Sequence, residues 1–223
     1  MISEMETLDE LLREAEIAHG HLCAGQVLGV RMAMLGCSLL AIDDPRGRVT
    51  RANRKRLVTF VEIDRCATDA IAVVTGCRLG KRALKFRDWG KMAASFLDLG
   101  RVADAERGIA AVAGGRAVRI AALESSRERA REMFPHLEKN AQQMAAYREL
   151  PDADLFAVEW VRIPLHPREL PGYKAPRVAC AVCGEGISYD REIVDEELVE
   201  GERVRRVLCR GCADVKEKYY QPL

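Results

Sequence analysis

Four cysteines near the C-terminal end of this 223-residue chain form two Cys-x-x-Cys pairs, Cys180 with Cys183 and Cys209 with Cys212. A Cys-x-x-Cys turn sets two sulfurs about 3.5 to 4 Å apart, each able to bond Zn²⁺ at about 2.3 Å, and two such turns close a tetrahedral thiolate shell. The 25 residues between Cys183 and Cys209 leave room for a hairpin, and Gly184 and Gly211 suit tight knuckle turns. A redox dithiol would instead call for one such pair at a helix start in a thioredoxin-like setting. Residues 177–223 are therefore expected to form a zinc ribbon around one structural Zn²⁺, which a segment this small needs in order to fold.

A second group of metal-capable side chains lies in the first third of the chain: His19, His21, Cys23, Cys66, Asp69 and Cys77. We expect His21, Cys23, Cys66 and Cys77 to converge on one metal, with His19 and Asp69 as a further ligand or as groups orienting one. Cys23 opens a helix, where the dipole favours thiolate. Nitrogen and sulfur donors suit Zn²⁺ or another first-row transition metal. The competing reading makes Cys66 and Cys77 packed thiols and leaves His21 on a turn. Cys37, amid an apolar helix, reads as core. Three protein ligands would leave a coordination position for substrate, with Asp69 or Lys91 as acid or base; four would close the site.

The segment from Gly76 to Arg82 invites comparison with a phosphate loop, but it has one residue too few between its glycines and lacks the Ser/Thr after Lys81. Gly76 is better read as a helix C-cap and Gly80 as a turn residue. Basic residues cluster from Arg46 to Arg56 and from Arg78 to Lys91. Such runs usually face solvent; facing the His/Cys group, they would form an electropositive rim for an anion.

Regular elements must position these side chains. Thr7 and Glu10 make a capping-box pattern before a helix that ends near His19. Residues 25–40 read as a second, mostly buried helix with Gly25, Gly29 and Ala33 on one face. The run 57–61 is a buried strand, 67–75 a helix stopped by Gly76, 83–86 a strand, 91–99 a helix, and 118–122 an alternating strand. Residues 124–150 form a charged helical stretch broken at Pro135, with Arg and Glu compensating one another, and 155–163 form a further strand. Prolines then crowd 164–176, which reads as a linker. Beyond it the strands 187–194 and 203–208 flank a turn at Glu200-Gly201. The irregular alternation favours an α+β fold over a doubly wound sheet: an α+β metal-binding domain over 1–163, the linker, and the ribbon.

The formal net charge of +1 gives no general excess for nucleic acid or acidic membranes. Asp195, Glu196, Glu197 and Glu200 on the hairpin would repel phosphate, arguing against the nucleic-acid role that ribbons often have. The acidic start, residues 1–6, is unlike a targeting peptide, and the apolar stretch 27–42 is interrupted by Arg31 and too short to span a bilayer. A cytoplasmic protein is expected.

Four ordered motifs carry a resemblance: His19-Gly-His21-Leu-Cys23-Ala-Gly25, Glu62-Ile-Asp64-Arg-Cys66-Ala-Thr-Asp69, Thr75-Gly76-Cys77 with Gly80-Lys81, and Trp89-Gly90-Lys91. With the Cys-rich tail they resemble the family named for the E-type subunit of formylmethanofuran dehydrogenase. The departures are Ala24, where proline is common, Trp89, where tyrosine is common, and Arg78 and Arg82 in place of smaller residues. The resemblance implies an α+β metal-binding protein, often dimeric, with a pocket between the HGHxC and Cys-bearing segments, and an association with molybdenum or tungsten enzymes. A homodimer is expected from this and from the Gly25, Gly29, Ala33 face. The leading functional expectation is a metal-binding accessory protein. The alternatives are a metal-dependent enzyme using the N-terminal site and a zinc-ribbon nucleic-acid binder.

Overall fold

The Thr7 hydroxyl accepts the Glu10 amide at 3.3 Å while the Glu10 carboxylate accepts the Thr7 amide at 2.8 Å, a closed capping box that starts the first helix. The computed structural model describes residues 6–49, 55–100, 116–199, 202–214 and 219. Helix α1 runs Leu8–His19 and stops where Gly20 takes a left-handed conformation, φ 96°. Helix α2, Ala24–Leu39, is buried along most of its length, and α3 spans Cys66–Thr75 with left-handed Gly76 as its cap.

A five-stranded sheet of order β2-β1-β3-β4-β5 supports these helices, with β1 Leu57–Val61, β2 Leu84–Phe86, β3 Ala93–Asp98, β4 Arg116–Ala122 and β5 Phe156–Arg162. The β1–β2 pair is parallel and the others antiparallel. Helices α4, Ser125–Met133, and α5, Lys139–Glu149, split around Pro135 as expected, and the short α6, Asp152–Leu155, leads into β5. The Glu124–Arg127 and Glu128–Arg131 ion pairs make the α4 surface self-compensating. The core gathers Val27, Val30, Phe96, Ile120, Tyr147 and Leu155, all fully or almost fully buried.

Two elements differ from the sequence expectation: the strand expected over 187–194 is split, only its ends falling in the strands Gly186–Ile187 and Ile193–Val199, and a helix is replaced by a strand. Residues 91–99, read as a helix from their Ala, Met and Leu content, contain strand β3. Every residue of β3 is buried and it pairs on both sides, with β1 and β4, so sheet pairing overrides helix propensity.

The small-residue face of α2 also has a different use. A β-carbon at Gly29 would lie 2.5 Å from the Ala67 carbonyl oxygen, and one at Gly36 would lie 2.5 Å from the Phe96 ring. Gly29 thus admits α3 and Gly36 admits β3 within the same chain. That face no longer argues for a second copy.

The chain divides into two compact units, 1–166 and 167–223. In the second, β6 Val178–Ala179 pairs with β7 Gly186–Ile187, and β8 Ile193–Val199 pairs with β9 Glu202–Leu208 before the one-turn α7, Arg210–Ala213. The proline-rich stretch is not a free linker over its whole length. Arg168 donates to the Asp190 carbonyl at 3.0 Å and the Tyr173 hydroxyl bonds the Asp190 carboxylate, so residues beyond Pro167 pack with the ribbon. On the hairpin, Asp195 stands opposite Arg206 and Glu196 opposite Arg205, so these two acidic residues face cations across the strand pair. The turn expected at Glu200-Gly201 lies outside the described residues. No helix among the described residues is long and apolar enough to cross a membrane.

Candidate metal centres

The ribbon cysteines come together. Cys180, Cys183, Cys209 and Cys212 place their sulfurs within 4.8 Å of one another, with Cys183 and Cys209 at 4.0 Å. Left-handed Gly184, φ 75°, closes the first turn, where its amide donates to the Cys180 carbonyl at 2.9 Å. The second pair is built differently from the expected knuckle: Cys209 caps α7, and Gly211 lies inside that helical turn. Backbone amides of Cys183 and then Cys209 draw the Cys180 thiol down to about 6, which favours its thiolate. The Cys209 amide lies 3.3 Å from the Cys180 sulfur. Cys212 goes the other way, to about 12, because the Cys209 sulfur beside it and burial both disfavour another negative charge. Four thiolates crowded in this way would repel one another, and a divalent cation removes that repulsion.

In the first unit, His19, Cys23 and Cys66 bring one ligand atom each within 4.8 Å. Their convergence follows from chain geometry. His19 ends α1, left-handed Gly20 turns the backbone, and Cys23 is the N-cap of α2. Cys66 is the first residue of α3. Because Gly29 admits α3 so closely, the two helices begin side by side, and a β-carbon at Gly25 would lie 3.3 Å from Cβ of Cys66 and 3.8 Å from Sγ of Cys23. Both thiols therefore sit at helix starts, where unpaired amides and the dipole favour negative charge. Even so, burial and then the Cys23 thiol beside it raise the Cys66 pKa. Two sulfurs bonded to one ion at about 2.3 Å are about 3.8 Å apart, so small shifts fit this trio to a metal.

Asp69, one turn into α3, accepts a 2.8 Å hydrogen bond from Nδ1 of His19. A carboxylate on one imidazole nitrogen fixes the ring and leaves the other, Nε2, for a metal. The His21 ring lies 4.9 Å from that of His19, centroid to centroid, outside the three-ligand cluster.

Cys77 is elsewhere. Helix α3 separates it from Cys66 by about 15 Å, given a rise of 1.5 Å per residue. It is 3% exposed, accepts the Thr59 hydroxyl at 3.4 Å and faces the Leu57 carbonyl, and burial pushes its thiol up. Of the expected ligands the structure brings Cys23 and Cys66 together, with His19, expected as a further ligand or an orienting group, beside them; His21 lies outside this cluster and Cys77 is packed in the core. Cys66 and Cys77 flank one helix and so occupy opposite ends of it. Cys37 is buried, and its surroundings push its thiol to about 12.

The tryptophan motif is drawn toward the same end of the sheet. The Glu62 carbonyl accepts the Trp89 and Lys91 amides at 3.1 and 3.2 Å. The buried Glu62 carboxylate takes two 2.7 Å bonds from Arg119, a bidentate pair that holds the end of β1 from which the chain reaches Cys66.

A family model described as "FmdE, Molybdenum formylmethanofuran dehydrogenase operon" matches residues 18–157, a stretch that holds His19, Cys23, Cys66 and Asp69 and excludes the ribbon. A "Probable S-adenosyl-L-methionine-binding protein" of Archaeoglobus fulgidus is 29% identical over 220 residues, covering 92% of this chain and 53% of that protein. The chain thus spans about half the length of that curated relative. A solved structure, that of a tungsten formylmethanofuran dehydrogenase FmdE-like protein from Syntrophus aciditrophicus, aligns with a TM-score of 0.56 at 20% identity. The alignment covers 96% of this chain and 95% of that one, a likeness of fold.

Proposed function

The chain belongs to the FmdE family, and from that premise we propose that it is a metal-binding accessory protein with two metal sites of different kinds. The ribbon holds one Zn²⁺ among Cys180, Cys183, Cys209 and Cys212 as a structural element. The N-terminal unit holds Zn²⁺ or another first-row metal through Nε2 of His19 and the thiolates of Cys23 and Cys66, with Asp69 orienting the imidazole. The observation that carries this reading is the convergence of two thiols at helix starts with His19 at the end of α1, and the His19–Asp69 bond behind them.

Three protein ligands leave a fourth coordination position for water or an exchangeable ligand. That count favours a second reading, in which the same site is catalytic and its metal lowers the pKa of a bound water or polarises a substrate. Replaceable exogenous ligand binding, such as azide perturbing a cobalt-substituted spectrum, supports an open site without turnover; product formation from a formyl-group substrate separates the enzyme from the accessory protein.

The family name supports a role beside a molybdenum or tungsten oxidoreductase. A homodimer and a cytoplasmic location complete the proposal, the latter because six thiolate ligands require reducing surroundings. The test is elemental analysis of the purified chain. The proposal expects two metal ions per chain, one lost with Cys183→Ser and the other with Cys66→Ser. A single ion, lost only with Cys183→Ser, would remove the N-terminal site.

A further inference from the structure

The two basic runs meet in one cleft. Residues 46–48 and 78–81, about thirty positions apart in sequence, together with the end of α1, enclose about 420 Å³ lined by Arg46, Arg48, Arg78, Lys81, Glu14 and Ile17. That volume is within the range of small-molecule sites, roughly 300 to 1,000 Å³. We propose that this cleft binds a small phosphate-class oxyanion, held by Arg78 and Lys81 between walls fixed by Arg46 and Arg48.

The charge distribution assigns these parts. The Arg46 side chain is 11% exposed, and its guanidinium is clamped by Glu6 and Glu14. Arg48 pairs with Glu6 at 2.9 Å and Glu14 at 3.3 Å. Burial alone would raise the Glu14 pKa, but the bonds from Arg46 and Arg48 outweigh it and keep the carboxylate charged. Two guanidiniums are thus compensated and immobilised by two carboxylates.

Arg78 and Lys81 are not. No carboxylate among the described residues pairs with either, and the contact of the Lys81 ammonium is the Gly76 carbonyl at 3.5 Å. The cleft keeps a surplus of two cations. The C-terminal ends of α1 and α3 border it and contribute about half a unit of negative charge each, which one cation offsets. Capping the α3 carbonyls accounts for Lys81; the Arg78 carbonyl accepts the Lys81, Ala83 and Leu84 amides, while its guanidinium has no partner among the described residues. A guanidinium fork and an ammonium facing one cleft suit an oxyanion. The segment from Gly76 to Lys81 fails as a phosphate loop because α3 ends there instead of beginning. Recognition in this cleft comes from side chains, not from backbone amides.

The site does not depend on the metal reading, although the two are neighbours in the fold. Ala18, which lines the cleft, precedes His19, and Val73 lies one helical turn beyond Asp69.

The test titrates the full chain, metal content checked, with inorganic phosphate and with glycerol phosphate against a chloride control of equal ionic strength. Saturable binding with a Kd below about 1 mM at low salt is expected. It should weaken about tenfold or more in the Arg78→Gln, Lys81→Gln double variant and stay within about twofold in Arg127→Gln, which alters only the α4 surface. Tighter binding of the ester identifies an organic monoester as the ligand, and equal binding identifies the free ion. Absence of saturable binding by the wild-type chain, or equal binding by the double variant with unchanged metal content, overturns the proposal.

Discussion

Gly29 of α2 lies against Ala67 of α3 so closely that a β-carbon on Gly29 would fall 2.5 Å from the Ala67 carbonyl oxygen and 2.8 Å from its α-carbon. Backbone offers no room to yield, so any side chain at position 29 must push the helices apart. The same approach sets Cys23 beside Cys66, because each thiol belongs to the first residues of one of these two helices. Gly29→Val should therefore cost about 1 to 3 kcal/mol of stability through overpacking and weaken metal binding at the N-terminal site, with ribbon zinc retained. Thermal unfolding and elemental analysis of the variant check both halves; full metal content would show that the helix spacing does not govern the site.

Asp69 orients His19 without joining the trio. Its carboxylate bond at 2.8 Å selects the tautomer that presents Nε2. Asp69→Ala should lower metal affinity about 10- to 100-fold while stoichiometry at saturating metal stays unchanged. Competition with a chromophoric chelator measures this. Loss of stoichiometry would make Asp69 a ligand.

Cys66 and Cys77 should behave differently. Cys66→Ala should abolish binding at the N-terminal site. Cys77→Ala should keep it and cost on the order of 1 kcal/mol, the loss of a buried polar contact and a small volume. Chelator titration and denaturant melts of the two variants separate a ligand from a core thiol.

Binding at the N-terminal site should release protons. Burial and the neighbouring Cys23 thiol raise the Cys66 pKa above its ordinary 9.0, so Cys66 is a thiol at neutral pH and a metal must displace its proton. Affinity should therefore rise with pH through the neutral range and level off only above the raised pKa. Calorimetry in buffers of different ionisation enthalpy counts the protons; a pH-independent affinity would contradict this account.

Much of the fold was legible because local signals agreed with their surroundings. The Thr7–Glu10 box, the Gly76 stop and the break at Pro135 all act within a few residues. Strand β3 was not legible, because Ala93, Ala94 and Leu97 favour helix and only the flanking β1 and β4 make them a strand. The ribbon cysteines were legible from spacing alone, since each Cys-x-x-Cys is a local turn. The N-terminal site was legible as a set of residue types but not as a ligand list. Choosing His19 over His21 depends on where α1 ends and which ring reaches Asp69. Excluding Cys77 depends on α3 holding it a helix length away from Cys66. The available signal was the position of Cys66 at the start of a helix that Gly76 closes, which puts Cys77 beyond its far end.

Anomalous scattering at the metal absorption edge, from crystals of the metal-loaded chain, tests the central claim most directly. Two peaks per chain are expected, one within bonding distance of the four ribbon sulfurs and one bonded to Nε2 of His19 and the sulfurs of Cys23 and Cys66, with a fourth ligand that is not protein. A ribbon peak alone, or a second peak whose shell is closed by His21 or Cys77, would contradict that claim.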